Sequence, residues 1–232
     1  MASAHRVAEI TGRGLCWLGT YSPLRGCSWQ AALPAAHSYR NGLYAICSVL
    51  PFNGAPDIEV LCCGASALCV LGLLSRSTMD VDVLGIVVQD RDLDPCEVFP
   101  AEMERAIANA GRELGLADDW FNGSASRMLE RGVPEGTLER SLEDRRSFGP
   151  CLTVRFLDRR DQVAMKLFAA MDPVDGIRHL KDLEEISPEA EEISHALMWM
   201  GGWESSSAFR AKLKAIVSGL GFEDLASSNI RR

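Results

Sequence analysis

The sequence has no Cys-x-x-Cys pair, and its four histidines (His5, His37, His179, His195) stand in no metal-ligand spacing to its eight cysteines. That pattern argues against a structural zinc site. There is no P-loop, no Ser/His/Asp arrangement, no internal repeat and no low-complexity tract. Basic residues are the scarcer charge, 24 Lys+Arg against 32 Asp+Glu, giving a net charge of −8. Such a balance speaks against a surface that coats nucleic acid, though not against a local basic site. The N-terminus carries no charged, apolar and cleavage-site succession of a secretory leader. With five cysteines (Cys47, Cys62, Cys63, Cys69, Cys151) set in apolar runs, a cytoplasmic chain with reduced thiols is expected. Val60–Leu74 comes nearest to a membrane span, but about fifteen residues closed by Glu59 and Arg76 fall short of the roughly twenty required.

What is present is ordinary globular material: 232 residues, 47% apolar and 24% charged, enough for a substantial core. Charge is uneven, since residues 1–50 carry four Arg and one Glu, leaving −11 for the remainder. Residues 1–35 lack periodicity and read as an extension, 36–158 as an α/β core, 159–222 as a helical part packed on it, and 223–232 as a tail. Within these bounds the pattern predicts helices over 37–50, 65–74 and 102–114 and strands over 58–63, 81–88 and 152–157. Further helices are expected over 160–171, 176–186, 189–200 and 205–219, with 118–149 a polar, turn-rich connection. The fold class is therefore α/β (α+β), a mixed sheet flanked by helices with a helical C-terminal half.

The chemistry-bearing segment is Cys63-Gly64-Ala65-Ser66-Ala67-Leu68, followed by Ser75-Arg76-Ser77-Thr78-Met79-Asp80-Val81-Asp82-Val83. It reads as strand, glycine turn, helix and a second strand opening on Asp-x-Asp. Alternate residues of a strand share a side, so Asp80 and Asp82 aim two carboxylates at one place while Val81 and Val83 face the core. Two convergent carboxylates repel unless a cation lies between them, and Mg²⁺ is commonly held by one or two carboxylates plus substrate phosphates. Gly64 lets backbone approach a phosphate, with Ser66 beside it and Arg76, Ser77 and Thr78 as further phosphate contacts. Read as residues alone, the same carboxylates also suit the solvated face of an edge strand.

These motifs resemble the first two of the minimal nucleotidyltransferases in the polymerase-β-like superfamily, which includes abortive-infection-type toxins. The nearer resemblance is to a bacterial nucleotidyltransferase-like family of unknown function within it. It continues through Asp119-Trp120-Phe121-Asn122, Val133-Pro134-Glu135-Gly136, Leu152-Thr153-Val154-Arg155, Asp161 to Ala170 and His179-Leu180-Lys181-Asp182-Leu183, covering about residues 40–222. The resemblance implies a Mg²⁺-dependent transfer of a nucleoside monophosphate from an NTP to a tRNA, another RNA or a protein hydroxyl. Asp80 and Asp82 would be the metal ligands, Gly64 and Ser66 the triphosphate loop, and Lys166 and Asp182 further site residues. An antitoxin partner follows from the same family association. Three features depart from the pattern. Cys63 stands where the family has a first glycine, fifteen residues separate Gly64 from Asp80, and the strand over 152–157 offers Thr153 and Arg155 instead of a third carboxylate. Those departures keep open the alternative of a catalytically inactive nucleotide-binding or protein-interaction module.

Other residues read more plainly. Lys166 lies in an apolar helix and suits a snorkelling side chain as well as a site residue. Asp182 suits a helix-surface charge equally. Trp120 and Phe121 are expected to anchor a loop, Trp199 and Trp203 to pack helices, and His195 to be an ordinary surface or packing residue. The acidic run 189–192 reads as a solvated face, and Asp158 as the start of a helix. An RNA acceptor would have to approach a patch such as Arg76, Arg155 and Lys166.

Overall fold

The structure, a computed structural model, describes residues 34–50, 57–75, 78, 80–203 and 206–230. Strands β1 (Ile58–Cys63), β2 (Val81–Val88), β3 (Asp92–Asp94), β4 (Phe121–Asn122), β5 (Arg145–Ser147) and β6 (Leu152–Phe156) form one sheet in the order β3-β2-β1-β6-β5, with β4 added beside β2. The sheet is mixed. β1 runs antiparallel to β2 and parallel to β6, and β4 runs parallel to β2.

Alternation along the strands divides the core into two faces. Val60, Cys62, Val81, Val83, Val154 and Phe156 point to one side, where α1 (Pro34–Val49) and α3 (Ala101–Leu114) cover them. On the other side Leu61, Cys63 and Leu84 meet Met165 of α5 (Arg159–Ala169). α5 is the hub of the helical half and packs against α6 (Gly176–Ile186) and α7 (Ala190–Gly201). It is buried on nearly every side, which explains the lack of a clear polar stripe in its sequence.

The expected elements are present with ends shifted by a few residues; α2, for example, is Gly64–Val70 rather than reaching 74. The stretch 118–149 is more ordered than a turn-rich connection. It holds β4, a 3₁₀ helix (Ser124–Arg131), α4 (Thr137–Arg140) and β5. After α8 (Ser207–Gly219), residues read as a tail form α9 (Glu223–Asn229), whose Ala226 is fully buried. The leader expected over 1–35 falls outside the described residues, save its last two positions. No helix among the described residues is long and apolar enough to cross a membrane.

Trp120 anchors its loop as expected. It is fully buried, stacks on Tyr39 and donates from Nε1 to the Ile107 carbonyl at 3.1 Å. Gly42 leaves room for it, since a Cβ there would lie 2.6 Å from the indole ring. Trp199 and Trp203 pack edge-to-face with each other and with Phe168.

Candidate functional site

β1 delivers the chain to Gly64, whose φ of +78° is a left-handed conformation that side chains other than glycine's resist. A Cβ at Gly64 would fall on the Asp82 carboxylate. The register explains why, since Cys63 pairs with Asp82 across β1 and β2. The glycine therefore makes the cradle that Asp82 occupies.

Thr78 and Asp80 complete the approach to β2. Thr78 is buried and its hydroxyl donates to Asp80 Oδ1 at 3.0 Å, while Tyr39 donates its phenol to the Thr78 carbonyl at 2.7 Å. Thr78 thus touches the carboxylate rather than standing free for a phosphate. Arg76 and Ser77, expected beside it, lie outside the described residues. Burial and then the Asp80 charge push Asp82 up to about 6. Burial, with the Asp80 and Asp119 charges next, likewise pushes the Tyr39 phenol up. The Asp80 charge thus raises the cost of ionising Asp82, as a like charge near a desolvated group must.

Lys166 and Asp182 converge on the same place. Lys166 is 5% exposed and Asp182 3% exposed, so neither is a surface charge. They meet at 2.7 Å across α5 and α6, and His179 Nδ1 lies 3.5 Å from Lys166 Nζ. The Lys166 and Arg178 charges act on both Asp82, which they lower, and His179. Burial first, then those two cations, hold His179 down at about 4, so its imidazole is neutral near pH 7. Burial and the Asp82 charge push the Cys63 thiol well above its usual range, so it is no nucleophile at neutral pH. The Ser66 hydroxyl is buried with no hydrogen-bond partner.

Sequence reasoning passed over one contributor. It looked to β6 for a third carboxylate, whereas β4 lies along β2 with Asn122, an amide, opposite Asp82. Asn122 Nδ2 reaches Asp82 Oδ1 at 3.4 Å. The quoted motif Asp119-Trp120-Phe121-Asn122 held the residue, but a two-residue strand has no periodicity to reveal its partner. Beyond Asn122 lies a cavity of about 330 Å³, walled by Glu97, Phe99, Glu104, Asp119, Phe121 and Arg127 among others.

Two expectations change. Arg155 is fully buried, donates to Glu59 Oε1 at 2.7 Å and pairs with Asp90, so it forms no part of a surface patch for RNA. Glu192 is not a solvated charge either. It is buried, pairs with Arg159 at 2.7 Å and closes a capping box with Glu189. Asp158 caps α5 as expected, accepting from the Asp161 amide at 2.8 Å.

Among the described residues no cluster of three or more His, Cys, Asp or Glu is arranged to hold a metal by itself. Two carboxylates in a glycine cradle fit a cation that takes its other ligands from substrate phosphates and water, as Mg²⁺ does. Comparison with family models, with curated proteins and with solved structures finds no match to this chain.

Proposed function

We propose that this site carries out Mg²⁺-dependent nucleotidyl transfer from an NTP to a hydroxyl acceptor, with release of pyrophosphate. The observation that carries the reading is the meeting of Asp80 and Asp82 with the buried Lys166–Asp182 pair beside Gly64. Asp80 and Asp82 would hold Mg²⁺, which when bound neutralises triphosphate charge and draws electron density from the reacting phosphorus. Thr78 fixes the Asp80 carboxylate. Lys166 supplies a positive charge in a desolvated place, where it acts more strongly on a phosphate than it would in water. Asp182 and neutral His179 hold that ammonium in position. Ser66, with an unpaired buried hydroxyl, is left free to bond a phosphate oxygen.

The surroundings favour a protein hydroxyl over an RNA end as acceptor. Carboxylates wall the cavity beside Asn122, and the expected patch has lost Arg155 to the interior. A polyanion approaching there meets like charge.

The test is incubation of the full chain with Mg²⁺, labelled NTPs, and protein or RNA pools, beside Asp80→Ala and Asp82→Ala. Transfer that both variants abolish is the expected result, with label on protein rather than RNA. Transfer that survives either substitution overturns the site. NTP binding without any transfer would instead support an inactive nucleotide-binding module, the reading favoured by Cys63 and by the lack of a carboxylate on β6.

A further inference from the structure

We propose that Asn122 is the positioning residue for Asp82, holding its carboxylate in the orientation that a cation requires. This rests on the reading of Asp80 and Asp82 as cation ligands.

The argument starts from what Asn122 is bonded to. Its Oδ1 accepts from the Ser124 backbone amide at 3.0 Å and from the Ser124 hydroxyl. Its Nδ2 reaches Asp82 Oδ1 at 3.4 Å and the Asp119 carbonyl at 3.2 Å. A backbone N–H can only donate, so the Asn122 oxygen must face Ser124. Both groups on the opposite side, a carboxylate and a carbonyl, can only accept. The amide therefore has one orientation that satisfies its neighbours, and in it the NH₂ must face Asp82. Turning it over would set donor against donor and acceptor against acceptor.

Backbone geometry fixes the residue as firmly. Val81 pairs with Phe121 and Asp82 with Asn122 in parallel register, and the Val81 amide donates to the Trp120 carbonyl at 2.6 Å. Buried Trp120, two residues before Asn122, pins the strand to the core. Asn122 thus stands on a rigid element and touches Asp82 with a donor that carries no charge. A neutral donor orients a carboxylate without competing with a cation for it, which a lysine or arginine there would do. Polar partners behind a metal ligand are typically worth about 10–100-fold in metal affinity.

The experiment measures Mn²⁺ binding to the full chain by the loss of free-ion electron paramagnetic resonance signal, with NTP present, and thermal melting of the same samples. Wild type should bind, Asp82→Ala should not, and Asn122→Ala should bind about 10–100-fold more weakly. Ser124→Ala does not touch Asp82, but it removes one of the two donors to Asn122 Oδ1. It should weaken binding in the same direction by a smaller factor and serves if Asn122→Ala does not fold. Val217→Ala, at a fully buried position of α8 in the C-terminal helical half, loses core packing and should lower the melting temperature while leaving Mn²⁺ affinity within about twofold of wild type. Wild-type affinity in Asn122→Ala, with Asp82→Ala inactive for binding, overturns the role of Asn122 alone. Weakening by Val217→Ala as large as that by Asn122→Ala overturns it too, since general destabilisation would then suffice. Failure of wild type to bind Mn²⁺ overturns the cation reading and this inference with it.

Discussion

The two ends of α5 each bury a charge, and they treat it in opposite ways. At the N-terminal end Asp161 is fully buried and its two oxygens are saturated. Arg140 donates to them at 2.8, 2.9 and 3.1 Å, and His195 Nε2 lies 3.0 Å from Oδ1. Arg140 is itself held by the Glu135 carbonyl at 2.8 Å, and Gly136 at φ +78° leaves the space its guanidinium fills. At the C-terminal end Lys166 meets Asp182, yet around it stand carboxylates that repel each other and an imidazole held neutral. Around Asp161 the first end has its charge paired, as a structural device should, although the buried Gln162 amide next to it has no hydrogen-bond partner. The second is left with like charges side by side, which is how a protein leaves room for a ligand.

The sharpest way to break that contrast is to remove one acid from each end. Asp161→Ala leaves Arg140 and His195 facing a buried hole, and loss of one partner from a buried pair costs about 3–5 kcal/mol. Asp82→Ala removes one of two repelling carboxylates and should cost far less, or stabilise the chain. Urea unfolding at pH 7 in EDTA compares them directly. Equal losses would show that Asp82 is as structural as Asp161, and the distinction between the ends would fall.

Much of the site was legible because it is local. Gly64, Ser66, Asp80 and Asp82 lie on a strand-turn-helix-strand succession whose alternation alone sets Asp80 and Asp82 apart from Val81 and Val83. Lys166 and Asp182 came from a resemblance; their own neighbours in sequence gave a surface reading, because a buried ion pair and two exposed charges look alike until the helices are packed. What stayed hidden depends on pairing over distance. Asn122 is forty residues from Asp82 on a strand of two residues. Arg155 reads as a surface cation until β6 is laid beside β1, where Glu59 neutralises it. His195 reads as a packing residue, and it is one, but its bond to Asp161 across α5 and α7 is a fact of tertiary structure.

A smaller effect sharpens the open end through pH. The Asp82 carboxyl, at about 6 when folded, lies above its ordinary value of 3.8, so between those values the folded chain holds a proton that the unfolded chain releases. Its contribution to stability is therefore greatest at low pH and falls as pH rises from about 4 to 6. His179 has the opposite sign. At about 4 when folded against 6.5 ordinarily, it contributes stability above pH 6.5 that is lost as pH falls towards 4. Asp158, pushed up to about 6 chiefly by burial, acts in the same sense as Asp82 but at the closed end. With allowance for solvent screening of half-buried groups, Asp82 and His179 each account for roughly 1–2 kcal/mol across the window. Relative to wild type, Asp82→Asn should gain stability as pH rises from 4 to 6, and His179→Gln should lose it. Denaturant titrations between pH 4.5 and 7 in EDTA read both slopes, and slopes of the same sign would contradict the geometry of this end.

The smallest expected change in stability carries the largest functional one. A buried ion pair exchanged whole for apolar side chains of similar volume leaves no unpaired charge behind, and stability commonly stays level or rises. Lys166→Met with Asp182→Leu should therefore cost less stability than either single substitution, as urea unfolding of the three variants reads. The same double variant should lose NTP-dependent label transfer, because the Lys166 ammonium that would meet a phosphate beside Asp80 and Asp82 is gone. Single substitutions serve less well here, since each strands a charge and confuses loss of fold with loss of chemistry. The exchange separates the two, because a pair kept only for stability can be replaced without cost to function. If the double variant is stable and still transfers label, Lys166 and Asp182 are scaffold like Arg140 and Asp161, and the two ends of α5 do not differ in kind.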